Sequence, residues 1–183
     1  MDTDTFSLFV SLLTVAANVF VVATVAVALA ARRGVGVAAF AARARAAIAR
    51  DALTAAWVVA TVCTAGSLYL SEVADFPPCD LCWYQRIAMY PLVVVLGIAA
   101  LRRDVDVWRY VLPLVAIGAA ISIYHYQLER FPEQSSLSCS VSVPCTTVWI
   151  WRFHYISIPF MALSGFAAIA TLVLLARRRD DGA

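Results

Sequence analysis

Hydrophobic residues in this chain come in long unbroken runs, not at the 3.6-residue or two-residue spacing of half-buried elements. Runs near 6–31, 52–71, 83–101, 107–128 and 156–176 approach or exceed the ~20 residues a helix needs to cross a hydrocarbon layer ~30 Å thick. Five membrane-spanning helices are the expectation. A closed barrel, the other spanning solution, needs short alternating strands that the sequence does not show. Between the first two runs, residues 37–51 are Ala-rich with interspersed arginines, which suits either a short helix lying near anionic lipid or a plain connector. The predicted class is an all-α membrane protein.

Composition agrees: 63% of the 183 residues are hydrophobic and only 14% charged, which excludes an ordinary soluble domain. The net charge of +2 conceals a strong asymmetry. Arg32, Arg33, Arg43, Arg45 and Arg50 fall between the first two runs, Arg102, Arg103 and Arg109 between the third and fourth, and Arg177, Arg178 and Arg179 at the tail. With five crossings these segments share one side, and the positive-inside rule makes that side cytoplasmic. The N-terminus, acidic as Met1-Asp2-Thr3-Asp4, is then outside. Topology accounts for the arginine runs, so no nucleic-acid role is expected. The first run lacks a basic flank and exceeds a signal peptide's apolar stretch, so it reads as a retained helix, with cleavage after the Ala-rich segment near Ala28 to Ala31 as the alternative.

This orientation places Cys79 and Cys82 at the outer mouth of the third span, and Cys139 and Cys145 in the external loop before the fifth. All four face the side where disulfides persist. Cys63 lies within the second span, where a lone thiol acts as a small hydrophobe. Three readings suit four external cysteines: a redox relay, a static staple, or a zinc site with the two pairs as ligands. The external loops are too short to be domains in need of a staple, and the wide second spacing is unusual for zinc. No Cys-x-x-Cys-His haem attachment occurs.

Thiol–disulfide exchange needs a thiolate, and a thiol's pKa falls near a helix N-terminus or a cation. Pro77-Pro78 must precede the third helix, with Asp80 as the expected cap. Cys82 then lies in the first turn, and Arg86 lies on the same face one turn deeper. Arg86 is placed either to steady the Cys82 thiolate and an electron acceptor dissolved in lipid, or to snorkel to the interface. Trp83, Tyr84 and Tyr90 suit the walls of an acceptor pocket as well as they suit an interfacial aromatic belt. Gln85 is either a hydrogen-bond donor or interfacial. His125, near the outer end of the fourth span, is an acceptor ligand or proton donor, or a histidine bonded to backbone. His154 is read as structural.

The run Pro78-Cys79-Asp80-Leu81-Cys82-Trp83-Tyr84-Gln85-Arg86-Ile87-Ala88-Met89-Tyr90-Pro91-Leu92 resembles the signature of the disulfide bond formation protein B family, DsbB, and especially its short BdbC-type members. Tyr124-His125-x-x-Leu128 followed by Pro132, the Cys139 and Cys145 pair, and Ile156-Ser157-Ile158-Pro159 agree. The resemblance covers roughly residues 52–176 and implies a four-helix transmembrane bundle there. Residues 1–51 add one N-terminal transmembrane helix and a cytoplasmic Arg-rich loop, and 177–183 form a cytoplasmic tail. By resemblance, the chain is a quinone-dependent thiol oxidase that reoxidises an extracytoplasmic, thioredoxin-like (DsbA-like) dithiol oxidase and passes electrons to menaquinone or ubiquinone. Cys79 and Cys82 match the quinone-proximal pair, with Cys82 the thiolate against the ring. Cys139 and Cys145 match the partner-facing pair, with Cys139 the site of the mixed disulfide. Arg86 matches the quinone-binding arginine, and His125 a histidine near the quinone. The extra first helix and the short spacing of the second pair depart from larger family members. The alternatives are a vitamin K epoxide reductase-like enzyme, in which the redox pair normally lies late in the bundle, and a structural or zinc-binding membrane protein.

Overall fold

A computed structural model of the chain describes residues 3–32, 34–134, 139 and 143–177. Met1, Asp2, Arg33, Arg178 and Arg179 of the charge pattern, and residues 178–183 of the tail, lie outside these. The described residues form six helices and no strand: α1 (Thr3–Ala30), α2 (Val35–Ala49), α3 (Ala52–Glu72), α4 (Asp80–Arg102), α5 (Trp108–Arg130) and α6 (Ile158–Arg177). All but α2 are long and apolar enough to span a membrane. The fold is that of an all-α membrane protein. Residues 37–51, open between helix and connector in the sequence, belong mostly to α2.

Helices α3, α4, α5 and α6 pack in a ring, each on the next and α6 back on α3. Their apolar core includes Leu92, Leu96, Val111, Phe166, Ile169 and Val173. One contact fixes α5 against α6: a Cβ at Gly118 would lie 2.2 Å from Phe166 Cζ, so only glycine lets the ring seat there. Because successive helices run antiparallel, Arg102, Arg103, Arg109 and Arg177 gather at one end and Cys79, Cys82, Cys139 and Cys145 at the other. At the arginine end, the guanidinium of Arg177 lies 4.0 Å from the centre of the Trp108 ring, a cation–π contact.

Helix α1 packs outside the ring, on α6 and α2, and it inverts the pattern of a water-soluble helix. Its buried residues are polar, Ser7, Ser11 and Thr14, while Leu12, Val19, Val22 and Leu29 are exposed, as a lipid solvent favours. The hydroxyls of Ser11 and Thr14 donate to carbonyls one turn back, so their burial leaves no bond unmade. Asn18 Nδ2 crosses to Ser164 Oγ of α6 at 2.9 Å. At the N-terminal end of α1, Arg152 donates to Ser7 Oγ and the Asp4 carboxylate.

The start of α4 positions the chemistry. Pro77 and Pro78 keep the chain extended, and Cys79 is extended as well (φ −74°, ψ 172°). The residue that caps the helix is Cys79 rather than the expected Asp80, which is the first helical residue. The Cys79 Sγ accepts from the Cys82 N–H at 3.4 Å, taking one of the donors a helix start leaves without an intrahelical partner.

Candidate redox site

The cap brings Cys79 and Cys82 together, with sulfurs 2.9 Å apart and not bonded. Residue His125 reaches this pair from α5, its Nε2 3.6 Å from Cys79 Sγ. The other ring nitrogen, Nδ1, is 3.1 Å from Gln85 Nε2. An amide NH₂ can only donate, so with Gln85 oriented this way Nδ1 accepts, and the proton of a neutral ring sits on Nε2, facing the sulfur. Cys79, Gln85 and His125 are all buried.

Cys79 lies just outside the α4 span, and its thiol is held down from 9.0 to about 4. The hydrogen bond from the Cys82 thiol is the main cause. Burial opposes it, while the His125 ring and the Cys82 amide reinforce it. The sequence pointed to Cys82 as the thiolate; the geometry gathers its donors on Cys79 instead.

Arg86 lies one turn below Cys82, and α3 holds it in place. Its Nε donates to Ser67 Oγ at 3.0 Å and its Nη2 to the Ser67 carbonyl at 3.1 Å. Tyr90 Oη is 3.3 Å from the same hydroxyl. No hydrogen bond joins Arg86 to the Cys82 sulfur among the described residues. Ser67 was missed in the sequence because a lone serine in an apolar span carries no pattern.

Cys82, Gln85, Arg86 and Tyr90 line a partly open cavity of about 610 Å³ between α1, α3, α4 and α6. Cys79 is not among its walls. Trp83 and Tyr84 are not walls either: both are about half exposed, at 51% and 52%, on the outside of the bundle. Cys63 lines the cavity from α3; its sulfur would be 2.7 Å from a Cβ at Gly165, so it fills the space a larger α6 residue would take.

Cys139 and Cys145 form a disulfide with Cα atoms 5.9 Å apart. Cys145 is buried and Cys139 half-buried. Both belong to one cluster with Cys79, Cys82, Leu81 and Leu128, so the fold brings the two pairs together. The four-cysteine zinc set considered from the sequence does not form here, because half of it is a disulfide. Cys79, Cys82 and His125 do bring three donor atoms within 4.8 Å of one another. Tetrahedral zinc, with Zn–S near 2.3 Å, would hold its two sulfurs about 3.8 Å apart, and these two lie closer. His154 sits outside the site in a tight turn, with φ 65°, closed by the Arg152 to Ile156 bridge.

The family model described as "Disulfide bond formation protein DsbB" matches residues 49–176. The disulfide bond formation protein C of Bacillus subtilis is 50% identical over 124 residues, 67% of this chain and 90% of that protein. The probable disulfide formation protein C 1 of Bacillus cereus is 48% identical over 120 residues, 65% of this chain and 86% of that protein. The probable disulfide formation protein of Oceanobacillus iheyensis is 43% identical over 134 residues, 72% of this chain and 92% of that protein. No solved structure gives a significant match. The unmatched tenth of the B. subtilis protein is too short to hold a helix as long as α1. The chain belongs to the DsbB family of disulfide bond formation proteins, as a multi-pass membrane protein with disulfide oxidoreductase activity.

Proposed function

We propose that this protein oxidises the dithiol of an extracytoplasmic, thioredoxin-like partner and passes the electrons to a membrane quinone. One observation carries the reading: both sulfurs of the α4 dithiol pack in one cluster with the second cysteine pair, while Cys82 alone of the two also opens, with Arg86, onto the apolar cavity. The dithiol of α4 therefore has an entry face and an exit face.

Electrons balance along this path. The partner's two thiols reduce the Cys139–Cys145 disulfide through a mixed disulfide at Cys139, the more exposed sulfur. A thiolate of that pair then attacks Cys79 in a Cys79–Cys82 disulfide, and Cys82 leaves as a thiolate facing Arg86. The second thiol of the attacking pair gives up its proton to the Cys82 sulfur and displaces Cys79 as a thiolate, which restores Cys139–Cys145 and leaves Cys79–Cys82 reduced. Donors from Cys82 and His125 stabilise the departing Cys79 thiolate.

The cavity suits a quinone. Its volume lies within the ~300–1,000 Å³ of small-molecule sites, and its walls are apolar with a few polar groups at one end. Cys82, Arg86 and His125 are the residues proposed to serve menaquinone or ubiquinone, Arg86 as a guanidinium donor toward a carbonyl oxygen and His125 through the Cys79–Cys82 pair. The chemistry a bound quinone supplies is the uptake of two electrons and two protons. In this reading residues 52–176 are the catalytic bundle, residues 1–51 an added unit, and the cysteine end faces outward, with the N-terminus outside and the C-terminus cytoplasmic.

The test is reconstitution of the purified protein with a reduced thioredoxin-like dithiol protein and a quinone, following quinol by absorbance. Turnover is expected for the wild type and none for Cys82→Ser. Absence of wild-type turnover, or equal turnover by the variant, overturns the proposal.

A further inference from the structure

The cavity at Cys82 does not end at the redox pair. On α1 its walls include Phe6, Val10, Leu13, Ala17 and Phe20, spaced by three or four residues and so on one helical face. From Phe6 to Phe20 this face extends ~21 Å at 1.5 Å per residue. The opposite side starts at Cys82 and Arg86, and the lining reaches Ile48 and Leu172, near the arginine end of the bundle. The space is thus a long, largely apolar groove with Cys82, Gln85 and Arg86 toward one end. That shape fits a molecule with an oxygen-bearing ring and a long hydrocarbon chain.

Two sets of bonds hold α1 over the groove. Arg152 ties its outer end through Asp4 and Ser7, and Asn18 ties its middle to Ser164. The helix also lies outside the segment matched by the family model, so this wall is a property of this chain.

We propose that α1 is the tail-binding wall of the quinone site: with the ring at Cys82 and Arg86, the isoprenoid chain lies along Val10, Leu13 and Ala17, and α1 sets the preference for tail length. This inference rests on the quinone reading above. Lipid is as apolar as the wall, so binding energy for the tail comes from close van der Waals packing along the groove, and a bulky residue midway along the wall removes that packing.

Equilibrium binding to the full-length protein in nanodiscs, read by quenching of tryptophan fluorescence, tests the assignment, since Trp149 lines the cavity. The probes are a tail-less benzoquinone and the same ring with a long isoprenoid tail. After correction for partitioning into lipid, the wild type is expected to prefer the tailed quinone. Ala17→Phe should cut that preference by roughly tenfold, whereas Val22→Phe, on the exposed face of the same helix, should leave it intact. An unchanged preference in Ala17→Phe, or an equal loss in Val22→Phe, overturns the assignment. A tailed quinone with a photoreactive group at its far end gives a readout independent of any variant's folding. Crosslinks to α1 peptides of the wild type support the wall, and crosslinks confined to α3–α6 overturn it. Binding of both quinones with no tail preference defeats the α1 assignment alone; no binding of either defeats the quinone reading with it.

Discussion

Cys79 combines three roles in one sulfur: helix cap, hydrogen-bond acceptor and partner in a dithiol. A reduced pair should therefore show an ultraviolet thiolate band that persists through neutral pH and titrates well below the ordinary thiol range. Cys82→Ala removes the principal donor and should raise that midpoint most. His125→Phe should raise it less. The sign for stability follows from linkage: the folded pKa lies below the ordinary value of 9.0, so the group's contribution is fully present above pH 9. It diminishes as pH falls and is gone once pH has passed through about 4. Chemical denaturation of the reduced protein across this range should show the trend, and the oxidised protein should lack it. The sequence made the cysteines, Arg86 and His125 legible, because ionisable and sulfur-bearing groups in an apolar run stand out. Gln85 was legible only as a donor without a partner, beside an interfacial reading, and Ser67 was not legible at all. What gives them meaning is the approach of α5 and α3, and a single sequence does not encode such contacts as a local pattern.

At the scale of elements, run length alone predicted the five spanning helices to within a few residues at each end, since lipid thickness fixes what a helix must cover. Helix α1 shows what run length leaves out. Its polar positions at 7, 11, 14 and 18 look like interruptions in an apolar segment, yet they form the face that meets the bundle. Neighbouring helices set that rotation. The seat of Phe166 on Gly118 was equally invisible, because a glycine in a span has many uses. Gly118→Ala should lower the melting temperature in detergent. Overpacking costs about 1–3 kcal/mol, which outweighs the ~1 kcal/mol that alanine gains over glycine in a helix. By contrast, Arg152→Ala should change global stability by less than about 1 kcal/mol, because the ion pair to Asp4 is largely solvated. Its effect should appear as faster hydrogen exchange at the outer end of α1.

For the whole molecule, the antiparallel ring separates Arg102, Arg103, Arg109 and Arg177 from Cys79, Cys82, Cys139 and Cys145 by the length of the bundle. Charge counting anticipated that separation from the order of the segments. If the cysteine end faces outward, an impermeant maleimide applied to intact cells should label Cys139, the more exposed of its pair, after mild reduction. It should leave a cysteine introduced at Arg103 unlabelled until the membrane is opened. The packing of the two pairs against each other lay beyond the sequence, because it depends on how the loop before α6 folds back over the end of α4.

One small contact makes the electron count readable from the backbone. The amide of Cys82 is tethered to a sulfur whose lone pairs and charge change whenever that sulfur enters a covalent bond with its neighbour. The nitrogen resonance of this single peptide group should then move between two positions as the protein is oxidised and reduced. A spectrometer tuned to one isotopic label would thus gauge, in a working membrane, how full the relay is.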